Sequence, residues 1–430
     1  MKLNQRAKAI LVAASITLLL LEGLANAKDG AYRVIHTFTG TPDACDAVGL
    51  LAAAGNGDLY GVAQHCGAHD AGAVFKLTAP RAAGGAWRET VIYNFLNDDL
   101  GYPTTLVMGN DGTLYGAGYS QNSSGFIFQL TPPVGGGVWQ YDVLYIFNND
   151  NHADGVFVEG ITLDAEGNIY GTTGLGGNPS CSWGGGLGCG VVFELKRPTK
   201  NGGNWAFSVL YAFTGNPDAA LPVTGVTLDQ KGNIYGTTNN GGTYGYGTVY
   251  RVSPPTQKGG PWTETVLYSL DSGTNMGSNA EGPVTFDESG NMYGTTAFGG
   301  DLNCSGGFGC GVVFELSPQT GGTWTYTNLY SFQDGSDGAE PTGTIVIDRK
   351  GSLYSTTTLG GGGTNAGTAF KLSPPQQEGD PWTETVLHTF KATDDEGDTG
   401  GLIWGKWHSL YGVTYSGGKY NGGVVFELQP

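Results

Sequence analysis

Three groups of residues in this chain have types and spacings that could do chemistry. The first is the run His65-Cys66-Gly67-Ala68-His69, with Cys45 and Asp46 upstream of it. Imidazoles, thiols and a carboxylate are zinc donors, although this spacing matches no zinc finger or protease pattern. The second is a set of acidic loops holding Asp43 and Asp46, Asp98 and Asp99, Asp150 and Asp154, Asp218, Glu281, Asp334 with Asp337 and Glu340, and Asp394, Asp395 and Asp398. Carboxylates on Gly-containing loops can hold calcium, a hard cation that takes oxygen ligands, or accept hydrogen bonds from sugar hydroxyls. No Asp-x-Asp-x-Asp-Gly loop is present, and Asp with Gly also makes ordinary Asx turns, which is the simpler expectation. The third is His152, a general base by residue type, with no identifiable nucleophile beside it.

The ligand-binding candidates are therefore Asp46, Asp99, Asp154, Asp218, Glu281, Asp337, Asp395, His65, His69 and His152. The chain has no Gly-x-Ser-x-Gly elbow and no His-Glu-x-x-His helix, and its Gly-rich stretches precede no helix. No catalytic residue, resident metal or cofactor is assigned; calcium is the cation such loops could take. Six cysteines are an even number, which favours disulfides over metal in an exported chain. The expected pairs are Cys45 with Cys66, Cys181 with Cys189, and Cys304 with Cys310. The zinc reading of His65 and His69 competes with the first pair.

The elements that must position these groups are repeats. The motif Leu/Ile-Tyr-Gly-Thr-Thr recurs around Tyr60, Tyr115, Tyr170, Tyr235, Tyr293, Tyr354 and Tyr411, at spacings of 55, 55, 65, 58, 61 and 57 residues. One supersecondary unit is thus used seven times. Each copy reads as four short strands. In the third copy these are Gly160-Ile161-Thr162-Leu163, then Ile169-Tyr170-Gly171-Thr172-Thr173 after a tight Asp164–Asn168 turn, then Val191-Val192-Phe193-Glu194-Leu195, with a strand of the Val143–Phe147 type outermost. Such units predict an all-β, seven-bladed β-propeller over residues 28–430, at about 58 residues per blade. The chain begins with the strand Val34–Phe38 and ends without it, so the N-terminal strand is expected to complete the last blade and remove an open sheet edge. A right-handed β-helix has shorter coils and needs no such offset. The repeated Tyr, Phe and Trp residues are expected to pack between blades rather than to form a sugar platform. His36 and His388, which replace the strand tyrosine, are expected to be packing variants.

Residues 1–27 read as a cleaved signal peptide: Lys2, Arg6 and Lys8, an apolar Ala9–Leu21, then Ala25-Asn26-Ala27. The apolar run is too short for a membrane span, and no second one follows. The whole chain carries a formal charge of −18. Without the leader, 17 bases face 37 acids, a formal −20. That balance repels nucleic acid and anionic membranes. The protein is expected to be exported, to the periplasm, cell surface or medium, and monomeric.

The combination Asp-x-x-Gly-Asn-Ile-Tyr-Gly-Thr-Thr, Gly-Gly, Gly-x-Val-Phe-Glu-Leu resembles the GloVer (Gloeo/Verruco) tandem-repeat family of exported bacterial proteins. Residues 164–195, 229–252 and 287–316 carry it most clearly; Tyr60-Gly61-Val62-Ala63 and Tyr115-Gly116-Ala117-Gly118 depart from it. The resemblance brings no agreed activity and no catalytic residues. It implies a C-terminal surface anchor in many members, whereas this sequence stops at Pro430 with no sorting signal. The expected function is a non-enzymatic binding module that engages a glycan or an extracellular partner through one loop face. The alternatives are a secreted hydrolase or lyase with its site at the channel mouth, built around His65, His69 and His152 with Asp46, Asp99 and Asp154, and a structural surface or matrix component. The scarcity of bases on the loop face argues against lyases that act on sugar acids.

Overall fold

A computed structural model describes residues 31–430 except 97–99, 121–122, 149, 182, 184, 201, 273–275, 364, 378 and 392–399. The leader, Asp99 and Asp395 lie outside the described residues. Among those residues, the only helical elements are two three-residue 3-10 turns, and no helix is long and apolar enough to cross a membrane.

The strands form seven antiparallel blades. Blade 3 runs inner to outer as Val156–Leu163, Ile169–Leu175, Val191–Lys196 and Ala206–Ala212. Blade 7 is Ile403–Trp404, Leu410–Val413 and Val424–Gln429, and its outer strand is Ala31–Thr37 from the other end of the chain. The closing pair is in register from Ala31 opposite Gln429 to Thr37 opposite Val424, with one bulge. The strand order and the closure are those expected from the repeats. Inner-strand residues of all seven blades, including Leu50, Thr105, Ile161, Thr224, Val284 and Thr344, line one central cavity of about 350 Å³.

Each motif residue has a structural task. The aspartate closes the turn between the first two strands. Asp229 accepts the N–H of Lys231 and Asn233 at 2.8 and 2.9 Å, the Asn233 amide at 2.7 Å and the Tyr235 hydroxyl at 3.2 Å. Asp287 and Asp348 repeat the pattern, with hydroxyls from Tyr293 and Tyr354. Burial alone would raise Asp229 and Asp348, but these hydrogen bonds outweigh it and hold both below the usual carboxylate range.

The motif glycine leaves room for the aromatic residue of the third strand. A Cβ on Gly171 would lie 2.6 Å from the Phe193 ring, and one on Gly116 would lie 2.2 Å from Phe128. The second threonine fastens the loop between strands two and three. Thr238 Oγ1 donates to the Asn240 carbonyl at 2.8 Å and accepts the Thr248 N–H at 3.1 Å. Thr173, Thr296, Thr357 and Thr414 do the same. Blades 1 and 2 have Ala63 and Gly118 at this place. Blade 1 instead ties its loop with the Cys45–Cys66 disulfide. In blade 2 the strands Leu114–Ser120 and Ser123–Thr131 stay paired out to Ser120 opposite Ser123.

Blades meet through aromatic residues, as expected. In blades 1, 2 and 3 the loop tryptophan reaches the motif tyrosine of the blade before it. Trp87 lies 5.6 Å from Tyr411, Trp139 lies 5.9 Å from Tyr60, and Trp205 lies 5.9 Å from Tyr115, all edge-on. Further out, one slot recurs with two fillings. At four interfaces it is a ring stack: Tyr93 on Tyr141, Tyr145 on Phe207, Tyr268 on Tyr326, and His388 on Tyr32. At the other three a glutamate stands where the second ring would, near an aspartate of the loop that enters its own blade: Glu89 with Asp43, Glu264 with Asp218, and Glu384 with Asp337. One oxygen of each glutamate is buried without a partner.

Burial and the nearby aspartate push these glutamates up to about 7, 8 and 7 respectively, from an ordinary 4.5. Acids raised above their unfolded value leave stability intact below about pH 4.5 and lose it as pH climbs through 7 to 8. Thermal melts should therefore show a falling melting temperature from mildly acidic to mildly alkaline pH. Glu264→Gln, which fills the same space without titrating, should flatten that slope; an unchanged slope would show that the clasp does not ionise in this range.

Candidate functional site at the channel mouth

With the repeated residues committed to the fold, unrepeated residues in equivalent places are the ones free to bind. Such places ring the mouth of the channel, where each outer strand hands over to the next blade. Near the start of an inner strand, Asp46, Tyr102, Leu221, Asn279 and Glu340 adopt left-handed φ values of 58°, 52°, 56°, 58° and 53°. Phe157 does likewise in blade 3, at 60°. A non-glycine residue in this region is uncommon and costs of order 1 kcal/mol or more.

The frame holds it by hydrogen bonds. The N–H of Asp46, Tyr102, Leu221, Asn279 and Glu340 donates to Gly422, Ala71, Cys189, Tyr246 and Cys310 of the preceding blade. The carbonyls of Tyr102, Leu221 and Asn279 then accept from Tyr119, Asn239 and Ala297 on the neighbouring second strand.

This uniform frame carries diverse side chains, and they contact one another across blades. His65 Nδ1 lies 3.0 Å from Asp46 Oδ2, and the imidazole sits edge-on to Tyr102 at 5.5 Å. Tyr102 stacks on Tyr119 at 5.7 Å, and the Gln64 amide donates to the Tyr119 hydroxyl at 3.0 Å. On the far side Asn279 donates to Asn239 at 2.7 Å, and Asn239 donates to Glu281 at 3.1 Å.

Four carboxyls at the mouth are raised. Burial pushes Glu159 up to about 7. Burial and then repulsion from Glu340 raise Glu281, against the Asn239 hydrogen bond. Burial and Asp334 raise Glu340, and burial raises Asp46 against the pull of His65. The resulting mouth offers acceptors, amide and hydroxyl donors and ring faces.

Among the residues proposed from sequence, Asp46, His65 and Glu281 fall in this ring. His152 Nδ1 lies 3.3 Å from Ser124 Oγ between blades 2 and 3, and His69 is an exposed loop residue. The carboxylates of Asp154, Asp218 and Asp337 are occupied by turn bonds. Asp218 accepts from Thr214 N–H at 2.8 Å, Thr214 Oγ1 at 2.7 Å and the Tyr211 hydroxyl at 3.1 Å. Asp154 and Asp337 accept from Tyr145 and Tyr330 in the same way. This is the Asx-turn role, extended to the strand tyrosine.

Gln64, Tyr102, Tyr119, Glu159, Asn239 and Asn279 were not singled out by sequence reasoning. Their only signal is that they vary where neighbouring positions repeat. The three disulfides pair as expected, which takes Cys45 and Cys66 out of any zinc site. Among the described residues, the one group of three metal-capable side chains with donor atoms within 4.8 Å is Cys304, Cys310 and Asp334, and both cysteines are oxidised.

A propeller of seven four-stranded repeats with a variable mouth is the class that the geometry defines. The chain matches the Gloeobacter/Verrucomicrobia repeat over residues 25–186 and 179–426, and it belongs to that family. A comparison with curated proteins finds no match. Among solved structures it is similar to a gluconolactonase from Xanthomonas campestris, at 13% identity and a TM-score of 0.43, covering 94% of this chain and 90% of that one. It is also similar to PorZ, a surface component of the type-IX secretion system of Porphyromonas gingivalis, at 13% identity and a TM-score of 0.49, covering 89% of this chain and 46% of that one. A luciferin-regenerating enzyme matches at 12% identity and a TM-score of 0.44, over 93% of this chain and 95% of that one. These likenesses say nothing about ligand or reaction.

The Cys181–Cys189 and Cys304–Cys310 bridges close short loops beside the mouth. Replacing either pair by serine should cost about 2–3 kcal/mol on the chain-entropy model. Urea unfolding measures this, and a midpoint equal to that of the parent would show that the loop is ordered without its bridge.

Proposed function

We propose that this protein is an exported, monomeric binding module that takes a neutral, hydroxyl-rich ligand, a glycan, at the channel mouth. The observation that carries the reading is the ring of amide, carboxyl and phenol side chains on a repeated backbone frame. Sugar hydroxyls need donors and acceptors together. Asparagines, tyrosines and Glu159, which burial pushes up to about 7, supply both. The named ring residues include no lysine or arginine and several carboxyls, which disfavours sugar acids. Export is supported by the leader sequence and three disulfides.

Calorimetric titration of the mature chain with neutral oligosaccharides tests this. Saturable binding is expected, weakened at least about tenfold, or ~1.4 kcal/mol, by Asn239→Ala or Tyr102→Ala. Silence across a broad neutral glycan panel would remove the proposal.

A second reading, a secreted hydrolase, is favoured by the Asp46–His65 pair alone. A carboxylate on Nδ1 fixes the tautomer and leaves Nε2 as the base, the arrangement that general-base catalysis requires. If a glycan ester is turned over, His65→Ala should lower kcat by about 10²-fold or more with little change in binding. An unchanged rate in that variant would leave the pair a purely structural one.

A further inference from the structure

Away from the ring, the loop face is uneven. Across blades 3, 4 and 5 it presents large apolar side chains to solvent: Trp183 at 41% exposure, Tyr244 at 57%, Tyr246 at 44%, Met276 at 40% and Phe308 at 66%. They are linked in space. The Trp183 indole donates to Asn216 at 3.0 Å and overlies Gly245, where a Cβ would sit 3.4 Å from its ring. Tyr244 and Tyr268 bound one shallow depression, and the Tyr268 hydroxyl donates to the Met276 sulfur. Phe298, on the loop that follows the motif strand of blade 5, lies 6.4 Å from Phe308. A contiguous exposed patch of this kind marks an interaction surface, unlike scattered single residues.

Two features show what covers it. Disulfides restrain two of the side chains, since Trp183 lies between Cys181 and Cys189 and Phe308 between Cys304 and Cys310, which lowers the entropy lost on binding. The charge is one-sided as well. The described residues of 147–158, 174–190, 213–223, 239–247, 270–283, 297–311 and 332–341 form this part of the face and include no lysine or arginine, while Asp271, Asp301, Asp334 and Glu340 lie among them. The bases Arg197, Lys231, Lys258, Arg349 and Lys350 sit in the turns and loops of the opposite face, and Arg251 lies in the strand Thr248–Ser253.

We propose that blades 3–5 carry a docking surface for a basic polypeptide segment, rich in lysine or arginine and interspersed with apolar side chains. Cations gain from the field and from the exposed Trp and Tyr faces, and apolar side chains cover Phe308 and Met276. A neutral sugar would gain nothing from the field, and anionic lipid or nucleic acid would be repelled. The exposed aromatic side chains of this surface are not those of the glycan ring, and the proposal does not rest on that reading; ring carboxyls such as Glu340 add to the same field.

The test is calorimetry on the mature chain with a short synthetic lysine–leucine peptide. The comparison probes are the same peptide with glutamine for lysine, and a neutral hexasaccharide. The lysine peptide should bind and the glutamine peptide should not. Affinity should fall at least about tenfold in Trp183→Ala/Tyr244→Ala/Phe308→Ala, and should also fall with rising salt. Because these side chains are exposed, the triple variant should keep the parent melting temperature. Asn239→Ala, a change in the ring, should leave peptide binding intact. Equal peptide affinity in the triple variant would overturn the proposal by reducing the effect to net charge. So would a hexasaccharide signal that the triple change abolishes, which would make the patch a sugar platform instead.

Discussion

No blade in this protein can bury its own two faces, and everything else follows from that. The buried residues fall into seven clusters, and each spans a pair of neighbouring blades. One joins Phe38, Phe75 and Val425 across the closure; another joins Tyr354, Phe390 and Phe426 on its other side. A solenoid built on this plan would leave two apolar ends for capping repeats to cover. Closing the ring removes the ends, but the last blade must then be completed by chain from the opposite terminus. The strand Ala31–Thr37 is therefore the element on which both flanking cores depend.

The outer slot between blades shows how much latitude this constraint allows. A ring at four interfaces and a glutamate at three occupy equivalent strand positions, although their physics is opposite. Ring pairs contribute about 0.5–1.5 kcal/mol beyond their burial. A buried acid beside a carboxylate is tolerated because it stays protonated, as the upward shift of Glu264 to about 8 indicates. The aspartates in these clasps also fasten the turns leading into the next blade, through Thr214 to Asp218 and Gln333 to Asp337. The acidity of the loops is thus partly a product of the packing between blades.

That overlap explains where the sequence was legible. Strand order, ring closure, disulfide partners and aromatic packing all follow from residues that recur at fixed spacing, and recurrence is visible in one chain. The candidate site has the inverse property. Asn279 and Glu340 occupy equivalent places as Leu221 and Asp46 do, yet nothing in their identities says so. Register shifts in the inner strands of blades 1, 2 and 3 blur the alignment further. Acidity drew attention to Asp154, Asp218 and Asp337, whose carboxylates the turns consume. Glu159 stayed unremarked inside a strand, and Asn239 just past the end of one. The Asp46–His65 contact needed the bulged pairing that sets Cys45 opposite His65.

The division between repeated and unrepeated residues also determines how such a protein can change its ligand. Gly171, Thr173 and Phe193 each answer to a neighbour fixed by the fold, so substitution there acts first on stability. The mouth residues answer mainly to one another. Their backbone is held by N–H bonds to the preceding blade and carbonyl bonds to their own second strand, whatever the side chain. A left-handed residue clamped on both sides accepts tyrosine, leucine, asparagine or glutamate at similar cost, because the strain resides in the backbone. The frame can therefore present new chemistry without rebuilding a core. The same holds for the bridged loops that carry Trp183 and Phe308, where the disulfides supply the order that packing gives elsewhere. The two proposed surfaces can share one face because neither relies on the residues that close the ring.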